Sequence, residues 1–406
     1  VMGMPVAFAF LTVNVANVFF IWGGFAGFPR LIGSIFTGIS IFSLLPIPLF
    51  ILMGDLLFKT GLSSMFLDTT NKWVGKVPGR LSIITILGGT ITVALTGVSM
   101  GSVAMIGRVM VPEMDKNKYK EPMIWGPAAC IGALSLMIPP SVFGVVFGGL
   151  AYISIGKILA GSLIPGLILA VPYPLYSVVR CHFNPSLAPK YEVEKTSLRE
   201  KLFVTVRDII PVAFIILCVT GVIFLGIATP SEAAATGALG CIIVALVYHK
   251  LSWRVLISSM KNTVTTSVMI FMIVMGATTF SQTLSFSGAT KGMVDFVVSM
   301  PVAPIATFIL MLGFIFILGM FTDAMSLMMI VVPVFTPIVK ALGIDPIWYA
   351  VVTLLVLAIG PITPPFGMDM FALKSVAPRP VAIQNIYKAV VPFIICDIII
   401  VVLVIV

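Results

Sequence analysis

Charge is scarce in this chain. Asp, Glu, Lys and Arg make up only 10% of the 406 residues, whereas apolar types make up 59%. A soluble domain needs a polar surface over its core, so this balance excludes one. Histidine is scarcer still, with only His182 and His249. No HExxH, Walker A or strand-linked GxGxxG occurs, which leaves zinc chemistry and ATP hydrolysis without support. The five cysteines (Cys130, Cys181, Cys218, Cys241, Cys396) form no CxxC and mostly lie in apolar runs, so free buried thiols are expected and no disulfide framework. The net charge is +9, but the positives are scattered over short polar segments, which argues against a nucleic-acid partner. No signal peptide is visible. Residue 1 already lies in an apolar run from Val1 to Trp22, which leaves open a start further upstream.

What the chain has in quantity is long hydrophobic runs. At about 20 residues per span, they leave room for roughly a dozen spans and re-entrant pieces of an all-α polytopic membrane protein. Two runs are broken in the middle by paired prolines: Met137-Ile138-Pro139-Pro140-Ser141 and Ile362-Thr363-Pro364-Pro365-Phe366. Proline removes a backbone donor and clashes with the preceding turn. Breaks at membrane depth strand backbone polar groups, so they persist only against protein, an ion or a watery cavity. Pro139 and Pro364 are 225 positions apart, and so are Pro112 and Pro337. Upstream of each break an apolar run reaches a small polar cluster and turns apolar again. The clusters are Thr96-Gly97-Val98-Ser99 and Phe321-Thr322-Asp323-Ala324. Each reads as the tip of a helical hairpin that enters the membrane and turns back. The alternative for each is an ordinary spanning helix.

Taken in order, residues 1–80 read as N-terminal scaffold, with one apolar stretch from Leu31 to Phe58 kinked at Pro46-Ile47-Pro48. Residues 81–157 hold hairpin one (Leu81 to Val111), a charged loop (Pro112 to Glu121) and the first broken span. Residues 158–262 are further scaffold. Within them 180–208 forms a polar linker too short and charged to hold a core. Thr229-Pro230-Ser231-Glu232 reads as a helix start, capped by Ser231, or by Thr229 with Pro230 at N1. Leu251 to Lys261 reads as an amphipathic segment and Thr263 to Phe286 as a separate span. Residues 263–380 carry hairpin two (Pro301 to Val339) and the second broken span, and 381–406 a last helix. With the N-terminus inside, nineteen of the 24 Lys and Arg fall on the cytoplasmic side. Four (Arg30, Lys157, Lys291, Lys340) fall outside, and Arg108 lies within hairpin one. That asymmetry supports the topology and makes the second hairpin enter from the opposite face. Inverted repeats with helices broken near mid-depth are the architecture of secondary transporters.

Four stretches resemble the large membrane subunit of tripartite ATP-independent periplasmic (TRAP) transporters. They are Gly3-Met4-Pro5-Val6-Ala7-Phe8-Ala9, Ile47-Pro48-Leu49-Phe50-Ile51-Leu52-Met53-Gly54, Thr229-Pro230-Ser231-Glu232-Ala233-Ala234-Ala235, and Gly343-Ile344-Asp345-Pro346 followed by Gly360-Pro361-Ile362-Thr363-Pro364-Pro365-Phe366-Gly367. The resemblance covers essentially the whole chain. It implies an elevator-type importer of organic acid anions, of the C4-dicarboxylate or sialic acid class, driven by sodium ions. It also implies a small four-helix membrane subunit, a periplasmic substrate-binding protein and a bacterial inner-membrane location. Two departures stand out. The first tip commonly reads Ser-Gly-Ser-Ser in the family but here Thr96-Gly97-Val98-Ser99. Gly-Leu-Asn commonly follows the second Pro-Pro, but here Gly367-Met368-Asp369.

Sodium wants several hard oxygens, and broken helices offer backbone carbonyls. Sodium site one is therefore expected at Thr96, Gly97, Ser99, Ser135 and the carbonyl of Met137. Sodium site two is expected at Gly319, Thr322, Asp323, Gly360, Ile362 and Thr363. The alternative is that these hydroxyls only bond nearby helix carbonyls. The organic anion is expected between the tips, near Val98, Ser99, Ser141 and Thr363, leaning toward hairpin one because Asp323 repels it and is expected to face a cation. Arg30 reads either as a guanidinium clamp or as a headgroup anchor. Asp55, Arg108, Glu232, Asp369 and Asp397 are the other charges in or near apolar runs. Gly97-Val98-Ser99-Met100-Gly101 matches GxSxG but lies in an apolar helical region without the strand–turn–helix setting of a hydrolase, and His182 and His249 fall on or beside segments assigned to the cytoplasm. The rival function is a channel or ion-only exchanger that uses the broken helices as a filter.

Overall fold

The computed structural model describes residues 4–96, 99–189 and 197–405, without the side chains of residues 63, 64 and 94–96. It is helical throughout, with no strand among the described residues. Helix α1 (Val6–Phe20) ends at a turn in which Gly23 and Gly24 take φ of +81° and +70°. The stretch read as one kinked span from Leu31 to Phe58 is in fact two helices. Helix α2 (Phe28–Ile39) stops, a short 3-10 turn follows at Phe42–Leu44, and α3 (Pro46–Lys59) begins. Pro46 and Pro48 fall in the first turn of α3, where missing N–H groups cost nothing, so they start a helix rather than kink one. Helix α4 (Leu62–Trp73) follows.

The first hairpin is formed by α5 (Arg80–Thr96) and α6 (Ser99–Lys116), which pack against each other. The charged loop expected from Pro112 is not one: α6 runs through Pro112 to Lys116. A single interior proline forfeits one hydrogen bond, which the tertiary packing of Val111 and Met114 outweighs. The first broken span is α7 (Glu121–Met137) and α8 (Val142–Ala151), bent by 40° at the Pro-Pro pair. Helices α9 (Ile155–Ala170) and α10 (Pro172–Phe183) return in one run. Helix α11 (Leu198–Val204) passes through a π-turn at Thr205–Ile209 into α12 (Ile210–Phe224).

Helix α13 (Pro230–Val247) opens with a full capping box in which Thr229, not Ser231, is the cap. The Thr229 hydroxyl accepts from Glu232 N, and the Glu232 carboxylate accepts from Thr229 N at 2.8 Å. The amphipathic segment and the span expected on either side of residue 262 are a single helix, α14 (Trp253–Phe286). At 1.5 Å per residue its 34 residues run to about 50 Å. That exceeds a hydrocarbon core of about 30 Å, so one helix both crosses and projects. Helix α15 (Ala289–Ser299) follows, then the second hairpin, α16 (Pro304–Gly319) and α17 (Ala324–Ala341). The second broken span is α18 (Pro346–Ile359), a 3-10 turn at Gly360–Ile362 and α19 (Met368–Ser375). Helix α20 (Ile383–Ile405) closes the chain.

Among the described residues, seven helical runs are long and apolar enough to cross a bilayer, or eight if α7 and α8 count as one. The broken helices are the centre of the fold. Every residue from Met123 to Met137 and from Tyr349 to Ile359 is buried. Helix α7 packs on α5, α6, α18 and α20. Small residues permit this closeness: a Cβ at Gly126 would lie 2.6 Å from the Ala389 carbonyl of α20. By contrast Phe20, Ile32, Phe36 and Leu217 on α1, α2 and α12 are exposed, as faces toward lipid or another apolar surface require. All five cysteines are free, and Cys130, Cys181 and Cys241 are buried.

Candidate functional site

The first break shows how a membrane-buried chain reversal is satisfied. In an unbroken helix the carbonyls of Ser135 and Leu136 would receive the N–H groups of residues 139 and 140. Both are prolines and have none. The Ser141 hydroxyl fills the gap, lying 3.0 Å from the Leu136 carbonyl and 3.3 Å from that of Ser135. The same oxygen accepts from Gly144 N as the cap of α8. Ser135 donates to the Gly132 carbonyl at 2.7 Å. Ser135, Met137 and Ser141 are all fully buried.

The second break is satisfied differently. Thr363 N donates to the Gly360 carbonyl at 2.9 Å, tightening the turn to 3-10, and the Thr363 hydroxyl takes the Ile359 carbonyl at 2.7 Å. Tyr387 of α20 donates to the carbonyl of Pro365, with that of Phe366 at 3.3 Å. Both Pro–Pro bonds are cis.

Both hairpins come to this second break. At the first tip, Ser99 donates from its hydroxyl to Oδ2 of Asp369 on α19. Gly132 of α7 lies flat against the pair. A Cβ there would collide with Asp369 Oδ2 and stand 2.8 Å from Ser99 Oγ. At the second tip, Gly319 and Gly360 meet backbone to backbone, and a Cβ on Gly360 would lie 2.7 Å from the Gly319 Cα. Gly367 N donates to the Met320 carbonyl at 3.4 Å, and the rings of Phe321 and Phe366 stand 5.6 Å apart. Thr322 bonds back to the Leu318 carbonyl at 3.1 Å. Asp323 caps α17 by accepting from Ser326 N at 2.9 Å. It lies three residues past Met320, whose carbonyl takes Gly367 N two residues before Asp369. Among the described residues, neither acid has an ion-pair partner.

The structure thus groups Ser99, Gly319, Asp323, Gly360, Ile362 and Thr363 about one hub, with Ser135, Met137 and Ser141 on the adjoining first break. It ties the first tip to the second break through Asp369, a contact beyond the expected pairing with the first. Gly97 and Val98 lie outside the described residues, as does the side chain of Thr96. Arg30 is not brought to the tips. Its guanidinium lies over the Phe286 ring at 4.5 Å and the Trp22 ring at 5.9 Å. Sequence reasoning left Gly132, Gly367 and Tyr387 out of the site. Gly132 gave no signal, because a glycine in an apolar helix is common. Asp369 did give one, as an acid inside an apolar run.

The family model described as "Tripartite ATP-independent periplasmic transporter, DctM component" matches residues 1–406. Among curated relatives, the sialic acid TRAP transporter large permease protein SiaM of Vibrio cholerae is 27% identical, over 93% of this chain and 87% of that one. The C4-dicarboxylate TRAP transporter large permease protein DctM of Pseudomonas aeruginosa is 30% identical, over 84% and 78%. The ectoine TRAP transporter large permease protein TeaC of Halomonas elongata is 26% identical, over 97% and 91%. Among solved structures, the YdaH transporter of Alcanivorax borkumensis shares the fold with a TM-score of 0.74 at 13% identity, covering 99% of this chain and 98% of that one. With a family match along its whole length and apolar helices enough for many crossings, the chain belongs to the DctM-component family of tripartite ATP-independent periplasmic transporters, and is a multi-pass permease subunit of the bacterial inner membrane rather than an enzyme.

Proposed function

We propose that this permease imports an organic acid anion, driven by the sodium gradient, and that it moves its site across the bilayer as an elevator built from two inverted halves. A periplasmic binding protein would deliver the solute, and a small four-helix membrane subunit would pair with the scaffold helices. The observation that carries this reading is the meeting of both hairpin tips at the second break, beside two acids that have no basic partner among the described residues. Ionised carboxyls held at neighbouring positions in a poorly hydrated site repel, and a bound cation relieves that cost. Serine and threonine hydroxyls and the turned-out carbonyls of the breaks add the hard oxygens that sodium needs. The solute's anionic head would sit on the hairpin-one side, with a bound cation between it and Asp369, which already takes up the Ser99 hydroxyl. Excess sodium over solute charge would draw about 2.3 kcal/mol per net charge per 100 mV of membrane potential.

Relatives are named for sialic acid, C4-dicarboxylates and ectoine, so the family match leaves the solute open. The direct test is uptake into proteoliposomes holding the permease and its membrane partner, with loaded binding protein outside. Replacing external sodium by choline should abolish accumulation. Undiminished uptake in choline would end the sodium reading, and flux without the binding protein would end the carrier reading.

A further inference from the structure

Next to hairpin one lies a cavity of about 250 Å³ that the transport site does not include. Its walls come from α3, α6 and α14. Hairpin one contributes Gly101, Ser102 and Met105; the other two helices contribute Asp55, Asn262 and Thr266 among others. Ser102 is one helical turn beyond Ser99 on the same face of α6, so the cavity begins about 5 Å from the Ser99–Asp369 contact.

The chemistry of the far wall is one-sided. Asp55 holds an ion pair with Lys59 at 2.9 Å and accepts from Nδ2 of Asn262 at 2.7 Å. A carboxylate can only accept, so it fixes the Asn262 amide with its nitrogen toward Asp55 and leaves the amide oxygen as an acceptor. Lys59 is itself turned to Asp55 and to the Ser258 hydroxyl at 2.9 Å, so its charge is spent on the wall. The polar character continues along α14. Ser259, Thr263 and Ser267 form the stripe beside Ser258, Asn262 and Thr266. They are buried, and among the described residues their hydroxyls have no hydrogen-bond partner.

We propose that this cavity is a second solute-binding pocket, which receives the hydrogen-bond-donating end of the cargo. It would take the hydroxyl-bearing tail of a polyhydroxy acid or the protonated nitrogen of a zwitterion, and disfavour the second carboxylate of a plain dicarboxylate. A carboxylate placed against Asp55 and the Asn262 oxygen would meet acceptors only. Hydroxyl or ammonium donors would find Asn262 Oδ1 and the Thr266 hydroxyl as partners. The proposal rests on the carrier reading, because it needs the anionic head at the hairpin-one tip, but it narrows the solute class that reading leaves open.

The test uses the full-length permease purified with its membrane partner in sodium buffer and carrying Met105→Cys. Maleimide labelling at position 105 is followed against the parent protein, whose half-buried Cys218 and Cys396 set the background. Gluconate and β-alanine at saturating concentration should slow labelling several-fold, and succinate should not. Asn262→Leu or, independently, Thr266→Val should remove the protection. Equal protection by succinate, no protection by either donor-bearing acid, or protection that survives both substitutions overturns the proposal. Sodium-dependent uptake, measured in parallel, judges the carrier reading by itself, so a permease that stays sodium-driven without this preference would reject only the pocket.

Discussion

The Ser99 hydroxyl donates to Oδ2 of Asp369 across 270 residues of chain, joining the tip of one hairpin to the far side of the other half's break. Both groups are buried, and Gly132 seals the contact from a third helix. A hydrogen bond to a charged group is worth about 1.5–3 kcal/mol. Ser99→Ala removes the donor and leaves the carboxyl facing a void. Uptake into proteoliposomes should fall steeply, while Ser99→Thr, which keeps the hydroxyl, should retain much of the rate. Parental uptake by a well-folded Ser99→Ala protein would show that the contact is dispensable.

This contact also marks the limit of what the sequence shows. The paired prolines, the polar tip at Thr322-Asp323 and the helix start at Thr229-Pro230 are local events, dictated by residues a few positions apart, and the structure has them where they were expected. The division of Leu31–Phe58 and the fusion of Leu251–Phe286 were misread because proline and charge cut both ways. Pro46 starts a helix, Pro112 sits inside one, and Lys261 rides on the projecting part of a long helix instead of ending it. Which tip meets which break depends on packing between distant segments, and no period or motif encodes it. Asp369 was visible as a buried acid, but its partner was not.

The crossing of Gly319 and Gly360 permits a sharp comparison. A methyl group at position 360 would stand 2.7 Å from the Gly319 Cα and 2.8 Å from its carbonyl carbon, backbone atoms that cannot swing aside. Overpacking of this kind costs about 1–3 kcal/mol. Gly360→Ala should therefore lower the midpoint of thermal unfolding in detergent and impair uptake. Gly313→Ala, in the same hairpin but with nothing within 4 Å of the new Cβ, should be neutral or slightly stabilising. Equal behaviour of the two variants would mean that the hairpin does not cross the break this closely.

Ser141 supplies the donor that two prolines withhold. Ser141→Ala leaves the carbonyls of Ser135 and Leu136 without it, in surroundings where Ser135 and Leu136 are at most 1% exposed. An unsatisfied buried acceptor costs about 1–3 kcal/mol. The variant should unfold at lower temperature than the parent, and Ser141→Thr should recover most of the difference. An unchanged midpoint for Ser141→Ala would mean that water or an ion satisfies these carbonyls instead.

Asp369 and Asp323 flank the Gly367–Met320 hydrogen bond, a placement in which their charges repel, and among the described residues neither has a basic residue in ion-pair contact. If sodium relieves that repulsion, removing one charge weakens the pull on the cation. Asp369→Asn preserves an acceptor for Ser99 and the size of the side chain, so the fold should survive. The sodium concentration needed for half-maximal uptake should rise, while the limiting rate at high sodium changes less. The opposite sign is equally informative. Were the two acids a structural pair only, neutralising one would ease repulsion, raise thermal stability and leave the sodium dependence of uptake where it was. Measuring uptake against sodium for the parent and for Asp369→Asn, with choline holding ionic strength constant, separates these outcomes.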